Sequence, residues 1–193
     1  MKDCQHIIEE VYHLVKENNK GEVANYIPEL GKVDSDKFGV CLTTKEGKVF
    51  TFGDYNESFS IQSIAKVFSL SLAYSIIGEK IWERIDVEPS GNAFNSLSQL
   101  ELEKGIPRNP LINSGAIVIC DILCSILENP KDELLKFIIK ITNSNSIDYC
   151  PLIAKSEKET GFRNYALVNY IKSLGNIKND INDVIELYFI YAL

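Results

Sequence analysis

The residues of this chain whose types and spacing could do chemistry begin with Ser63 and Lys66, in the stretch Phe59-Ser60-Ile61-Gln62-Ser63-Ile64-Ala65-Lys66-Val67-Phe68-Ser69-Leu70. A hydroxyl and an amine at i and i+3 share one face of a helix. A neutral amine can take the proton of the hydroxyl and turn it into a nucleophile. For that, the lysine must give up its charge. Burial disfavours an ammonium, and so does the partial positive charge at a helix N-terminus. The surroundings suit this. Ile64, Val67, Phe68, Leu70, Leu72, Ala73, Ile76 and Ile77 fall on nearly all sides of a 3.6-residue helix. The expectation is therefore a buried helix and not an amphipathic one. The plain alternative is a Ser63 that caps a helix and a Lys66 that snorkels to solvent.

The rest of the composition narrows the class. The chain has 193 residues, 45% hydrophobic and 24% charged, enough for one domain or one and a half with a real core. Its 20 basic and 27 acidic residues leave a net charge of -7, which argues against nucleic acid and anionic membranes as partners. The opening Met1-Lys2-Asp3-Cys4-Gln5-His6 is too polar for a secretion signal, and no apolar run is long enough to span a bilayer. Five cysteines (Cys4, Cys41, Cys120, Cys124, Cys150) are odd in number and scattered, and the histidines are His6 and His13. Cys120 and Cys124 sit at i, i+4 in an apolar helix, the usual place for buried thiols. The expectation is a reducing cytoplasm, no disulfide, no metal and no organic cofactor, with His6 and His13 at the surface.

The elements that must position Ser63 and Lys66 follow from periodicity. Residues 4–18 read as an amphipathic helix with Ile7, Ile8, Val11, Leu14 and Val15 as its stripe, ended by Asn18-Asn19-Lys20-Gly21. Residues 37–44 and 48–53 read as strands joined by a turn at Lys45-Glu46-Gly47. The Ser63 helix runs to Gly78. Residues 79–110 are turn-rich, with a short helical turn at 96–103. A second apolar helix spans Asn113 to Leu127, and further helices are expected at 131–142, 147–157, 162–174 and 180–192, the last capped from an Asp/Asn cluster. This is an α+β chain with a helical bulk. Two strands alone make a poor sheet, and Asp183–Leu193 stops in an apolar run without a terminating Gly or polar tail. Both lead to the expectation of further sequence downstream.

Six stretches together resemble the serine-dependent glutaminases, a branch of the β-lactamase/transpeptidase-like fold whose Ser-x-x-Lys pair is shared with penicillin-recognising enzymes. They are Gly21-Glu22-Val23-Ala24-Asn25-Tyr26-Ile27-Pro28-Glu29-Leu30, Phe59 to Phe68, and Val87-Glu88-Pro89-Ser90-Gly91-Asn92-Ala93-Phe94-Asn95-Ser96. With these go Asn109-Pro110-Leu111-Ile112-Asn113-Ser114-Gly115-Ala116-Ile117, Ser156-Glu157-Lys158-Glu159-Thr160-Gly161-Phe162-Arg163-Asn164, and Glu186-Leu187-Tyr188-Phe189. Their order and spacing are family-like and cover nearly the whole chain.

The resemblance implies hydrolysis of L-glutamine to L-glutamate and ammonia through a glutamyl-enzyme ester. Ser63 would be the nucleophile and Lys66 its base. Asn113, Glu157, Asn164 and Tyr188 would bind substrate, with Tyr26 and Gln62 as pocket walls. The residue types suit glutamine, whose α-carbon carries an ammonium that wants a carboxylate and a carboxylate that wants donors. Each also has a structural reading: Asn113 as a helix cap, Glu157 as part of a solvated charged run with Lys155, Lys158 and Glu159, Asn164 as a turn residue, and Tyr188 as a core aromatic. The resemblance further implies a homo-oligomer. It implies a single domain with residues 1–62 as the N-terminal helix and hairpin part of the α/β layer and 63–193 as the mainly helical part. The family pattern continues past residue 193 with more strands, a proton-transfer Tyr and a glycine-rich oxyanion segment. The expectation is thus a complete helical part, a sheet represented only by its hairpin, and a partial site. The alternatives are an inactive glutaminase fragment and another Ser-x-x-Lys amide hydrolase.

Overall fold

The computed structural model describes residues 3–18 and 20–190. Met1, Lys2, Asn19 of the expected helix end, and Tyr191 to Leu193 of the expected last helix lie outside the described residues. Internal contacts divide the chain after Phe59 into two compact units.

The first unit holds helix α1 (Cys4–Val15) and the antiparallel strands β1 (Gly39–Thr43) and β2 (Val49–Gly53). The Asp3 side chain caps α1 by accepting from the Gln5 N–H. The hairpin register runs from Gly39 opposite Gly53 to Thr43 opposite Val49, and its turn carries Gly47 in the left-handed region at φ 81°. The expected stripe of α1 is corrected: Ile8 is buried, whereas Leu14 is 75% exposed and Val11 44%. The helix rests on the hairpin through Gln5, whose Nε2 donates to the Thr51 carbonyl at 3.2 Å, and through Tyr12. The Tyr12 ring stacks on Phe38 at 5.3 Å and meets Phe52 edge-on at 4.9 Å. Aromatic pairing, rather than the aliphatic stripe, decides which face is covered.

The second unit is helical: α2 (Ala65–Ile77), α3 (Leu97–Leu102), α4 (Asn113–Ile126), α5 (Pro130–Thr142), α6 (Pro151–Thr160), α7 (Phe162–Ser173) and α8 (Ile181–Phe189). The order and most bounds agree with the periodicity. Residues 78–83 form an extra 3-10 turn inside the stretch expected to be irregular, and α6 begins at Pro151, later than expected. Pro151 is the reason, since proline is favoured in a helix's first turn and pushes the residue before it out of helical backbone. Asp180 caps α8 by accepting from the Asn182 N–H.

The most deeply buried helix of this unit is α4 and not α2. Every residue of α4 from Ser114 to Leu123 is buried, and α2, α7 and α8 all pack on it. Helix α2 buries Ala65, Lys66, Ser69, Leu72 and Ala73. Val67 and Ile76 on it, and Ile64 just before it, stay about half exposed (49%, 47% and 52%). An all-round apolar surface permits full burial without supplying neighbours, and the packing places α4 in the middle.

A polar cluster ties the far ends of these helices together. Asp121 on α4 is fully buried, yet it accepts from Arg84 Nη2 (2.5 Å), the Lys178 and Asn179 N–H groups (2.9 and 2.8 Å) and Asn179 Nδ2 (2.9 Å). Burial alone would raise its pKa, but the Asn179 and Arg84 donors outweigh burial and hold the carboxyl below its ordinary value. Asn176 adds bonds to the Arg84 and Gly105 carbonyls (3.0 and 3.2 Å). The loop between α7 and α8 is thereby fastened to the segment following α2.

Candidate active site

Ser63 lies in a 3-10 turn, Gln62–Ile64, that runs directly into α2. Its side chain is exposed. The preceding Gln62 takes a left-handed φ of 45°, uncommon for a residue with a Cβ, and its Nε2 donates to Ser60 Oγ at 2.9 Å. Such strain persists only where the surroundings hold it, and functional sites are where it gathers.

Lys66 follows in the first turn of α2 and is only 3% exposed. Its Nζ donates to Asn113 Oδ1 at 2.7 Å. Asn113 Nδ2 in turn donates to Asn164 Oδ1 at 3.0 Å. Three helices thus meet through three side chains: α2, α4 and α7. The capping reading of Asn113 fails here. Ile112 occupies the cap position, Asn113 is the first residue of α4, and its side chain points to Lys66 and Asn164. Asn164 is likewise no turn residue; it lies buried in the first turn of α7.

The head of α4 is held by backbone close to it. Asn109 Oδ1 accepts from the Leu111 and Ile112 N–H groups (3.0 and 3.1 Å), and the Asn113 N–H donates to the Phe94 carbonyl at 2.9 Å. Gly115 permits this approach, because a Cβ there would lie 1.9 Å from the Asn109 carbonyl oxygen. The Phe94 ring centroid lies 5.9 Å from Lys66 Nζ, within reach of a cation–π contact. Phe94 and Gly115 both lie in family-like stretches, yet neither residue type announces a role at the site. The Asn-Pro turn running into the small pair Ser114-Gly115 is the one sequence signal for a close approach.

Glu157 separates from its charged neighbours. Lys155, Lys158 and Glu159 are exposed, whereas Glu157 is half-buried and acts electrostatically on Lys66. Burial lowers the Lys66 pKa to about 8, against the opposing pull of Glu157 and of Cys120. Burial raises that of Glu157 to about 7, against the opposing pull of Lys66. An amine able to shed its proton near neutrality thus lies beside a carboxyl able to gain one. Tyr188 on α8 is buried, edge-on to Phe189 at 5.8 Å. Gln62 adjoins Ser63, and Tyr26 belongs to the first unit, where it is 68% exposed. Among the described residues no cluster of three or more His, Cys, Asp or Glu could hold a metal, and no helix is long and apolar enough to cross a membrane.

The architecture has close counterparts among solved structures. The probable glutaminase ybaS aligns over 97% of this chain and 61% of its own, with a TM-score of 0.90 at 28% identity. That likeness defines the class: a chain of α+β, β-lactamase-like fold. Within the class, the chain belongs to the glutaminase family. The Glutaminase family model matches residues 21–192. The chain is 56% identical over 188 residues to a glutaminase of Saccharophagus degradans, covering 97% of this chain and 61% of that relative. It is 59% identical over 169 residues to a glutaminase of Christiangramia forsetii, covering 88% of this chain and 56% of the relative. The chain therefore spans about three fifths of the length of these curated relatives.

Proposed function

We propose that this chain carries the nucleophile and the substrate-recognition residues of a glutaminase, which hydrolyses L-glutamine to L-glutamate and ammonia. The observation that carries the reading is the hydrogen-bonded chain from buried Lys66 through Asn113 to buried Asn164, adjoining the turn that bears Ser63. In the first half-reaction Ser63 Oγ bonds to the side-chain amide carbon while its proton passes to the neutral Lys66 amine. The carbon–nitrogen bond then breaks, and the proton held by Lys66 leaves with ammonia. In the second half-reaction water attacks the glutamyl ester, and Ser63 recovers its proton. Glu157, when ionised, takes the α-ammonium of glutamine. Asn164 Nδ2 and the Tyr188 hydroxyl serve the α-carboxylate, and Gln62 lines the pocket. The same reading makes the working form a homo-oligomer in a reducing cytoplasm; light scattering on the purified chain checks the oligomeric state.

The test uses a diazo-ketone analogue of glutamine. Incubation followed by peptide mass spectrometry should place one adduct on Ser63, and Ser63→Ala should abolish it. Ammonia release that survives Ser63→Ala sinks the mechanism. Absence of any adduct in a folded sample supports the alternative of an inactive glutaminase fragment. The pH dependence has a defined sign. At pH 7 about a tenth of Lys66 is neutral with a pKa of about 8. Glu157 with a pKa of about 7 is then half ionised. Labelling should therefore rise with pH from 6 to 9 and level off above.

A further inference from the structure

The direction of the hydrogen bonds in the Lys66–Asn113–Asn164 chain is forced. An ammonium donates and never accepts, so Asn113 must turn its oxygen to Lys66. Its NH2 then faces the next residue, which must accept. Asn164 answers with Oδ1 at 3.0 Å. Lys66 and Asn164 are only 3% and 9% exposed and Asn113 between them is partly buried, so an unmade bond here is costly. An acceptor at position 164 is thus what keeps the Asn113 carbonyl on the lysine. Without it the Asn113 amide is free to rotate and bring its NH2 toward Lys66, replacing an attraction with a repulsion.

We propose that Asn164 is a positioning residue for the Lys66 amine, acting through Asn113. Its oxygen locks the orientation of the Asn113 amide and so governs how readily Lys66 carries charge, before any ligand arrives. This deepens the proposed function, on which it rests only in taking Lys66 as the base. It divides the labour of one side chain: Oδ1 serves the lysine, and Nδ2 stays available to a ligand. Among the described residues, the other groups that act on Lys66 are Glu157 from α6, Cys120 from α4 and the Phe94 ring, and the test leaves all three in place.

The experiment is a pH titration of the ligand-free 193-residue chain by 15N NMR of lysine Nζ, with the Lys66 signal assigned by its loss in Lys66→Arg. Asn164→Ala should lower the Lys66 midpoint by about 0.5–1, the scale expected for weakening a hydrogen bond to a charged group. It should also shift the Asn113 side-chain NH2 resonances. Asn164→Asp keeps an acceptor oxygen; it should preserve the Asn113 resonances and move the midpoint above that of the unsubstituted chain, because it adds negative charge. In an Asn113→Ala background, Asn164→Ala should have no further effect on the midpoint. A folded Asn164→Ala chain that titrates Lys66 at the unaltered midpoint overturns the proposal. So does an equal drop with and without Asn113, which would make the effect direct. Should Asn164→Ala not fold, Asn164→Leu, which has nearly the shape of asparagine and no acceptor, carries the same comparison. No step requires hydrolysis, so a chain that never labels with the diazo-ketone still decides whether Asn164 positions Lys66.

Discussion

At the scale of single residues, Lys66 is where the proposed function and stability oppose each other. Its pKa of about 8 against an ordinary 10.5 means that the folded state penalises the ammonium. The cost is full below pH 8 and disappears as pH rises through 10.5, where the unfolded chain also loses its proton. Lys66→Met should therefore stabilise the chain at pH 7 by about 1–3 kcal/mol. Urea midpoints measured from pH 7 to 10.5 should show that gain shrinking, while diazo-ketone labelling is lost throughout. Glu157 is the partner case. Glu157→Gln removes the negative charge that opposes desolvation of Lys66, so the lysine should titrate still lower, as Nζ NMR would read. Of this residue-scale picture, the types were legible: a hydroxyl and an amine three apart, and a carboxylate at 157. Which of four charged residues in 155–159 turns inward was not, because a charged run looks the same whichever member is buried. The hydrogen-bond partner of Lys66 was also hidden. Asn113 is 47 positions away, and only the crossing of α2 and α4 brings the two together.

At the scale of elements, the helix that carries Lys66 depends on the one beneath it. Gly115 lets the Asn109-Pro110 turn lie against the first turn of α4, and that turn aims Asn113. Gly115→Ala forces a Cβ into the Asn109 carbonyl, so the turn or the helix must move. The substitution should cost roughly 1–3 kcal/mol despite the better helix propensity of alanine. Thermal unfolding would show the loss, and the Lys66 Nζ resonance would shift with it because Asn113 moves. Gly161→Ala offers a second test of close approach, since its Cβ would meet the Phe189 ring at 2.6 Å where α6 turns into α7. Element type and extent were largely readable. The hairpin turned on Gly47, α2 stopped at Gly78, and α8 began at an Asp180 cap, all local backbone chemistry. Burial was not. Both α2 and α4 are apolar on most sides, and only packing shows that α4 is enclosed while Ile64, Val67 and Ile76 at and along α2 stay half exposed.

At the scale of the whole molecule, the Asp121 cluster holds together segments distant in sequence. Asp121→Ala would leave Arg84, whose side chain is 19% exposed, without its counter-charge, and the Lys178 and Asn179 N–H groups without their acceptor. The expected loss is about 3–5 kcal/mol at neutral pH. Its sign with pH follows from the depressed carboxyl. The contribution is present above the ordinary carboxylate pKa and fades as pH falls through the lower folded value, so the deficit of the variant should narrow in acid. Urea denaturation at neutral pH and again in acid checks this. By itself, the sequence determined the helix and strand inventory, the glutaminase family and the residue types of the site, because these depend on local periodicity and on short stretches in fixed order. Only the tertiary structure decided that Lys66 answers to Asn113 and Asn164, that Glu157 faces inward, that α4 and not α2 is the enclosed helix, and that Asp121 is a buried anchor. Each depends on neighbours brought from dozens of residues away, and a local pattern carries no information about which neighbour a buried polar group will meet.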